Sequence, residues 1–600
     1  MNAEKKWSEP TTGSSGKAAP VHPKGKAATV LLSSVFGPYA GDDEYGSRAV
    51  NPMELYHNQV TRAQGPFSIR GFVRSWGLKM IQENISAPCV LLDFPALDTF
   101  EDEIRRNSYD IVGISSILVN IGKVRKMCEL VRRHLPEAVI VVGGHISGLA
   151  DLPERIDADH IVRGEGIRWF RSFLGEDVNR PVRHVRARSA IWSRALGGDV
   201  PDSKLPAILI PSVGCPLGCN FCSTSAMFGG KGGGVEFISS GDELFQTMCD
   251  LERALNTKDF FVMDENFLLR RERTMRLLEL MEMHGKDWGL SVFASANAIR
   301  SYSPDEWVRL GLTRIWIGLE GENSRYGKLA RSDTQSLVRE LQSHGISVLG
   351  SSIIGLEAHA PENVSKAIDY AVGHDADLQQ FMLYTPLPGT PLYSQLAKEG
   401  KLLSPEEAPW PEWHGQRQLV HRHAHIGVHE AKKYLDQAFC RDYEVNGPSV
   451  LRGIRTNIAG WKRYGNDPRP LVRQRYQRRA ASLATVQAGA LWAGLRYCRG
   501  SAAIEQRLNS WLRDIYAAFG IKARIAAPVF GLAILRRLRK EARFLEQGRT
   551  YEPTTIRETN CEHARIPSCK PASARMPMAT GNRWTRPVPV RPRMASTACD

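Results

Sequence analysis

The chain has 600 residues, of which 42% are hydrophobic and 24% charged, and its formal net charge is +15. This composition is typical of a soluble globular protein, and the length predicts two to four domains, because single cores seldom exceed about 250–300 residues. The sequence shows no run of about 18 apolar residues and no apolar secretory signal at its start, so we expect no transmembrane helix and no secretion.

The cysteines and the charge distribution predict a cytoplasmic protein that binds no nucleic acid. The eleven cysteines are odd in number and fit a reducing compartment better than a disulfide framework. Much of the positive charge lies in the C-terminal third, where no RNA- or DNA-binding module is recognisable. We therefore interpret the charge as a contribution to solubility or to surface attraction.

An alternating pattern of strands and helices begins at Ala28, after a polar stretch, residues 1–27, that is predicted to be a disordered leader. This alternation predicts a parallel, doubly wound α/β domain over residues 28–180, followed by a linker over residues 181–204. Ligands of such sheets bind where the strands end. The predicted strands are 29–34, 89–93, 111–115, 139–142 and 160–162.

Two of these strand ends carry candidate binding residues. Ser116 and Leu118 follow the third strand, and Gly143 and Gly144 follow the fourth. Paired glycines let the backbone approach a ligand closely, because no Cβ intervenes. The residues alone leave open a Rossmann-like domain that binds no cofactor.

Three cysteines in eight residues, Cys215, Cys219 and Cys222, follow an apolar run that predicts a buried strand. Iron–sulfur cubanes normally take four thiolates, one per iron, so three would leave one iron open to another ligand. A zinc site or a chance grouping of structural cysteines is the alternative, although zinc would need a fourth Cys or His nearby. The sequence therefore predicts a metal-cluster loop.

The cluster domain is predicted over residues 205–400, again with alternating strands and helices. A glycine-rich segment, 229–234, follows the cysteines and is either a mobile connection or a phosphate cradle. One later strand ends in Asp264, Glu265 and Asn266, and another ends in Glu320. Acids at the carboxyl ends of barrel strands are often functional, but Glu320 could equally serve a structural ion pair.

Helical periodicity dominates a predicted C-terminal domain, residues 401–545, and a Pro- and Arg-rich disordered tail is predicted over residues 546–600. Four histidines, at positions 421, 423, 425 and 429, are interpreted as a loop leading into a helix cap rather than as metal ligands. The basic amphipathic stretch 525–544 is interpreted as the solvated face of a small bundle, with peripheral contact to anionic lipid as the alternative.

The cysteine loop, including Phe221, resembles the signature of the radical S-adenosylmethionine (SAM) superfamily. Ser116-x-Leu118 followed by Gly143-Gly144 resembles the cobalamin-binding domain found in one branch of that superfamily. The segments 163–166, 264–267, 317–320 and 388–391 resemble further motifs of this branch, so the resemblance spans residues 28–400. It implies a Rossmann-like cobalamin-binding domain, a partial (β/α) TIM-like barrel and a helical C-terminal domain.

The resemblance also implies the cofactors and their contacts. A [4Fe–4S] cluster would be held by the three cysteines, and its open iron would bind SAM. Phe221, Glu320 and one of Asp264, Glu265 or Asn266 would lie near SAM, and the Ser116/Leu118 and Gly143/Gly144 loops would line the cobalamin site. The Asp-x-His-x-x-Gly motif is absent, and neither His57 nor His145 lies in a context that replaces it. Cobalamin is therefore expected to bind without a His ligand from that motif.

The function implied is a cobalamin-dependent C-methyltransferase that acts on an unactivated carbon of a small molecule or lipid. It would receive electrons from a donor such as flavodoxin or ferredoxin. One alternative is an anaerobic oxidative cyclase or another radical rearrangement enzyme of the same architecture. A second is a non-catalytic sensor that carries cobalamin or an iron–sulfur cluster.

Overall fold

Two parallel β-sheets, one after the other along the chain, form the α/β part of the protein. The computed structural model describes residues 21–46, 54–321 and 333–560. The strands in this part of the chain are β1 (Val30–Ser34), β2 (Arg70–Phe72), β3 (Cys89–Asp93), β4 (Ile111–Ser115), β5 (Val139–Gly143), β6 (His160–Val162), β7 (Trp192–Ala195), β8 (Gly198–Asp199), β9 (Ala207–Leu209), β10 (Ser212–Val213), β11 (Val235–Glu236), β12 (Asp259–Val262), β13 (Gly289–Phe293), β14 (Leu312–Glu320), β15 (Ser347–Ile354), β16 (Leu378–Leu383) and β17 (Ile556–Thr559).

Helices lie between most of these strands and make up most of the chain after β16. They are α1 (Leu55–Gln59), α2 (Trp76–Asn84), α3 (Leu97–Arg106), α4 (Ile121–His134), α5 (Leu152–Arg155), α6 (Gly166–Phe173), α7 (Ser223–Met227), α8 (Gly241–Leu255), α9 (Arg271–Met283), α10 (Ala296–Arg300), α11 (Pro304–Leu310), α12 (Thr334–Ser343), α13 (Val364–Val372), α14 (Pro391–Lys398), α15 (Glu430–Asn446), α16 (Ser449–Tyr464), α17 (Pro470–Ala480), α18 (Ala488–Tyr497) and α19 (Ala502–Glu546).

The first sheet has the strand order β17-β3-β1-β4-β5-β6, and β1, β3, β4, β5 and β6 pair in parallel. β1 and β3 are buried along their whole length, as their continuous apolar sequences require. The strands predicted in this domain are confirmed to within one residue at each end.

The second sheet is parallel throughout, with the order β16-β15-β14-β13-β12-β9. Its core contains Trp288, Leu290, Ile315, Leu337 and Val348 among other fully buried side chains. Six parallel strands with helices between them form the partial barrel that the sequence predicted, so the predicted fold class is confirmed.

The predicted linker, residues 181–204, contains secondary structure. β7 and β8 form an antiparallel hairpin there, and β2 from the first domain pairs with β7. Arg194 on this hairpin forms an ion pair of 2.9 Å with Glu541 of α19. The hairpin therefore connects the first domain with the C-terminal helix α19.

The two predicted disordered ends are each partly ordered. Residues 21–27 contain a 3-10 turn, and the backbone N–H of His22 donates to the carbonyl of Phe173 at 2.8 Å. At the other end, β17 pairs antiparallel with β3, and Arg74 forms a 2.7 Å ion pair with Glu558. The prediction of a tail beginning at residue 546 was thus wrong for β17; residues 1–20 and 561–600 lie outside the described residues.

The C-terminal helices pack around α19, which bends where Gly520 adopts a φ of +57°. By length and composition α19 could cross a membrane: an 18-residue window has mean hydropathy 1.6, and 28% of that window is buried. This match does not contradict the expectation of no transmembrane helix, because core helices of soluble proteins pass the same test.

Candidate active site

The carboxyl ends of β4 and β5 bring together the residues that the sequence selected in the first domain. The Ser116 N–H donates to the Gly143 carbonyl at 3.1 Å, and the Ile146 N–H donates to the Ser116 carbonyl at 3.2 Å. Gly144 has a φ of +85°, and a Cβ there would lie 2.5 Å from the Ser116 carbonyl oxygen. Leu118 begins a buried 3-10 turn beside them. Only glycine fits at position 144, so the loops meet through backbone alone.

The cysteine loop runs from β10 to α7 and is held by its own hydrogen bonds. The Cys222 N–H donates to the Cys219 carbonyl at 3.0 Å, and the Ser225 hydroxyl donates to the Cys215 carbonyl at 2.7 Å. The Ser225 N–H also donates to the Cys222 sulfur at 3.4 Å, which makes this thiol the N-cap of α7. All three cysteines are partly exposed. The loop therefore presents three thiols from a fixed backbone.

The glycine-rich segment 229–234 folds back against the cysteine loop. The Gly232 N–H donates to the Pro216 carbonyl at 2.8 Å, and a Cβ on Gly218 would lie 2.7 Å from the Lys231 Cα. The segment leads into β11, which pairs with β10. These glycines allow segment 229–234 to pack closely on the cysteine loop. Neither of the two roles predicted from the sequence, a mobile connection or a phosphate cradle, includes this packing.

Phe221 faces the body of the barrel. It packs with Ile353, Tyr384 and Leu392, and its ring centroid lies 6.1 Å from that of Tyr384. The neighbouring Asn220 amide donates to the Tyr384 hydroxyl at 3.3 Å. Phe221 thus anchors the end of the cysteine loop to β16.

The three thiols of the cysteine loop lie close to one another and to Glu265. Burial raises the pKa of the Cys215 thiol, and the charges of Cys219, Cys222 and Glu265 raise it further, so these groups lie close enough to interact. Among the described residues no three His, Cys, Asp or Glu side chains surround a single ion position. In a cubane each thiolate binds a different iron. Three neighbouring thiols on one loop suit that donor set.

Asp264 and Asn266, after β12, are engaged in contacts with the protein. Asp264 forms a buried ion pair of 2.6 Å with Arg273 and accepts the Asn266 N–H at 3.1 Å. The Asn266 side chain donates to the Ser295 hydroxyl at 3.2 Å and accepts the Ser295 N–H at 3.0 Å. Both side chains therefore fix the loop after β12.

Glu265, between them, lies beside the cysteine loop. Its Oε2 is buried and has no hydrogen-bond partner among the described residues. Burial and the nearby Asp264 charge raise the pKa of Glu265 to about 7, against the opposing effect of the Gly214 backbone. A buried carboxylate oxygen without a donor is costly unless a cation or donor binds there. Of the three polar residues in this segment, Glu265 best fits a ligand ammonium.

Glu320 lies at the carboxyl end of β14, where the sequence placed it. It is buried, its φ is +53°, and the pairing of β14 with β15 is irregular at this position. A non-glycine residue with positive φ at a strand end is uncommon and occurs often at functional sites. Glu320 thus lies at the carboxyl edge of the sheet, the edge at which β9 leads into the cysteine loop.

The carboxyl edges of the two sheets face each other. A Cβ on Gly148, after β5, would lie 2.7 Å from the Pro388 carbonyl oxygen, and Arg163 donates to the Gly389 carbonyl at 3.4 Å. A Cβ on Gly164 would lie 3.7 Å from the Met227 carbonyl oxygen, at the end of α7. The cysteine loop and the Gly144 loop therefore border one region between the domains.

Three residues that position the site were not selected from the sequence: Arg273, Ser295 and Tyr384. Arg273 and Ser295 hold Asp264 and Asn266, and Tyr384 holds the cysteine loop. Arg273 could have been selected from the sequence, because it is a basic residue on the helix that follows the acidic loop. The partners of Asn266 and Asn220 come from distant strands and leave no local pattern.

The histidines after α14 form a loop, as predicted, that ends at the N-terminus of α15. His423 contacts the Leu356 carbonyl through Nε2 at 3.1 Å and accepts the His425 N–H at 3.2 Å. His421 is buried against the Tyr384 ring, and burial lowers its pKa to about 4. His429 precedes the first residue of α15.

Comparisons with known proteins agree with this geometry. A family model for the B12 binding domain matches residues 67–174, and one for the radical SAM superfamily matches residues 209–371. The first range contains the Gly144 loop, and the second contains the cysteine loop, Glu265 and Glu320. The chain therefore contains a B12-binding domain followed by a radical SAM domain, and the predicted resemblance is confirmed.

Most relatives with assigned names are methyltransferases, and two are anaerobic magnesium-protoporphyrin IX monomethyl ester cyclases, of Rubrivivax gelatinosus and Cereibacter sphaeroides, at 22% and 21% identity. The chain is 24% identical over 343 residues to an uncharacterized methyltransferase of Pyrococcus horikoshii, with 50% of this chain and 72% of the relative aligned. It is 27% identical over 314 residues to the bacteriochlorophyllide d C-12(1)-methyltransferase of Chlorobaculum tepidum, with 48% and 66% aligned. About half of this chain, therefore, lies outside each alignment.

A solved structure of similar extent is the radical SAM methyltransferase TsrM from Kitasatospora setae, with cobalamin and a [4Fe–4S] cluster bound. It shares 14% sequence identity, and the alignment covers 82% of this chain and all of TsrM with a TM-score of 0.43.

Proposed function

We propose that the protein is a cobalamin-dependent C-methyltransferase that acts on an unactivated carbon of a small molecule or lipid. The observation that carries this proposal is the facing arrangement of the Gly144 loop and the cysteine loop. A reaction that uses both cofactors on one substrate requires their sites to border a common space. The relatives named methyltransferases share more identity with this chain than the two named cyclases do, which favours this reaction over oxidative cyclisation.

Each part of the site has a proposed role. Cys215, Cys219 and Cys222 hold the cluster, Glu265 binds the SAM ammonium, and Glu320 supplies a second acid to the SAM pocket. The loops at Ser116, Leu118 and Gly143–Gly144 line the cobalamin site without contributing a His ligand. When bound, the cluster supplies the electron that cleaves SAM, and cobalamin carries the methyl group. A donor such as flavodoxin or ferredoxin reduces the cluster.

The chain's own residues prepare this chemistry. The Asp264–Arg273 pair and the Asn266–Ser295 contacts keep the Glu265 segment fixed, so that a ligand ammonium meets a positioned carboxylate. The packing of Phe221 on Tyr384 and of segment 229–234 on the cysteine loop keeps the backbone of that loop in place.

The proposal is tested by product analysis on anaerobically reconstituted protein. With SAM and dithionite we expect 5′-deoxyadenosine, and with added cobalamin we also expect S-adenosylhomocysteine, which a methyl transfer from SAM leaves behind. Deoxyadenosine with no cobalamin-dependent S-adenosylhomocysteine would instead favour a cyclase. If neither product forms, the result would favour a non-catalytic sensor.

A further inference from the structure

Exposed aliphatic side chains are concentrated on one face of α19. Ile521, Ile525, Val529 and Leu532 are 76%, 63%, 63% and 50% exposed, and they recur at the spacing of one helical face. Single exposed apolar residues are normal on protein surfaces, but a contiguous stripe marks an interaction site. Elsewhere in the described chain, large exposed apolar side chains are scattered.

The opposite face of the same helix is fixed on the bundle. Ala523, Ala527, Ile534 and Leu538 are buried, and a Cβ on Gly531 would lie 2.5 Å from the Trp492 ring. These contacts set the rotation of α19, so the aliphatic stripe points outward. The stripe is therefore a surface of the folded domain.

The outward face changes from aliphatic to basic along the helix. Arg536, Arg539, Lys540 and Arg543 follow the stripe and are exposed, and none of them forms an ion pair with a described residue. The one acid between Ile521 and Leu545 is Glu541, which is buried against Arg194. The face thus carries positive charge that no local carboxylate neutralises.

The length of the stripe excludes a membrane crossing by this face. Twelve helical residues rise about 18 Å, whereas a bilayer core is about 30 Å thick. The side of the helix that carries Ala527, Ile534 and Leu538 packs on the bundle and is closed to lipid. A helix with one aliphatic face and adjacent basic residues suits the plane of the membrane interface.

We propose that this face of α19 docks the protein on a bilayer containing anionic phospholipid. The aliphatic side chains would enter the interfacial region, and the basic residues would bind lipid phosphates. A second copy of the chain fits less well, because its own aliphatic and basic face would bring no carboxylate to pair with the basic residues. This inference is independent of the proposed reaction.

The test is co-sedimentation of the full chain with vesicles. We expect binding to vesicles of phosphatidylglycerol mixed with phosphatidylcholine, weak binding to phosphatidylcholine alone, and loss of binding in about 1 M salt, where charges are screened beyond about 3 Å. The double variant I525D/V529D is expected to bind at least about tenfold more weakly, because two aliphatic side chains no longer enter the interface. M283D is the matched control, since Met283 is 69% exposed on α9 and should not affect binding.

Charge reversal tests the second half of the face. R536E/R539E should lose binding to the anionic vesicles while its cluster content and helical circular dichroism stay unchanged. Equal binding of wild type and I525D/V529D, or no binding of wild type to either vesicle, would overturn the proposal. So would a dimer in solution that I525D/V529D dissociates without any vesicle binding, because that result would assign the stripe to a second copy.

Discussion

The loops at the two facing sheet edges are fixed by different means. In the first sheet, the loops after β4 and β5 meet through backbone hydrogen bonds and a glycine that admits no side chain. In the barrel, the loop after β12 is fixed by a buried ion pair and a side-chain amide. A backbone cradle suits a large ligand that must approach closely, whereas side-chain anchors hold one carboxylate in a set place. A substitution in the anchors of one site should therefore disturb that site and leave the other intact.

The largest expected effect is on the cluster. Cys219→Ala removes one of three thiolates, so reconstituted protein should lose its cluster absorbance and all deoxyadenosine formation. Cobalamin binding should persist, because the Gly144 loop belongs to the other sheet. Cys249→Ala on α8 is the control and should behave as wild type. Retained SAM cleavage by Cys219→Ala would contradict the cluster assignment.

The next effect is on the stability of the barrel edge. Arg273→Met leaves the Asp264 carboxylate buried without its partner, which should lower the free energy of unfolding by about 3–5 kcal/mol. Arg276→Met, one turn away, removes only exposed ion pairs with Asp242 and Glu279 and should lower the free energy of unfolding far less than Arg273→Met does. Denaturant titration of the two variants gives the comparison. Similar losses would show that the buried pair does not fix the edge.

The backbone cradle is tested by a pair of neighbouring glycines. Gly144→Ala places a Cβ against Ser116 in a backbone region that L-residues avoid, so we expect a loss of about 1–3 kcal/mol and weaker cobalamin binding. Gly143→Ala places its Cβ 3.6 Å from the nearest atom, Val162 O, and should be tolerated. Equilibrium binding of cobalamin and iron content are measured on both. A Gly144→Ala protein that binds cobalamin normally would contradict the predicted site.

The smallest effect separates the role of Glu265 from that of its neighbours. The pKa of Glu265 is raised from 4.5 to about 7, so the folded apo-protein should lose stability as the pH rises through this interval. Glu265→Gln removes that dependence and should melt at a higher temperature than wild type above about pH 7. It should also bind SAM about tenfold more weakly, because a charge-assisted hydrogen bond is lost. Unchanged SAM affinity would show that Glu265 does not bind the ammonium and would assign that contact to Glu320.

Much of the α/β architecture could be predicted because buried parallel strands are continuous apolar runs between turn residues. The Cys215–Cys222 loop could be predicted equally well, since its three thiols lie within eight residues of one another. Which of Asp264, Glu265 and Asn266 faces the site could not be predicted, because the answer depends on Arg273 and Ser295, which are brought in by a helix and another strand. β17 was missed for the same reason: its short, polar sequence forms a strand only because the edge of β3 offers hydrogen bonds.

The return of the chain through β17 has a mechanical consequence. The helical domain is continuous with the barrel at α15 and is fastened again to the first sheet after α19, with Asn560 accepting the Cys89 N–H at 2.8 Å. A module tethered at both ends cannot swing outward on a single hinge. Access for a substrate must therefore come from local movement of loops around the inter-sheet region rather than from a wholesale opening of the molecule.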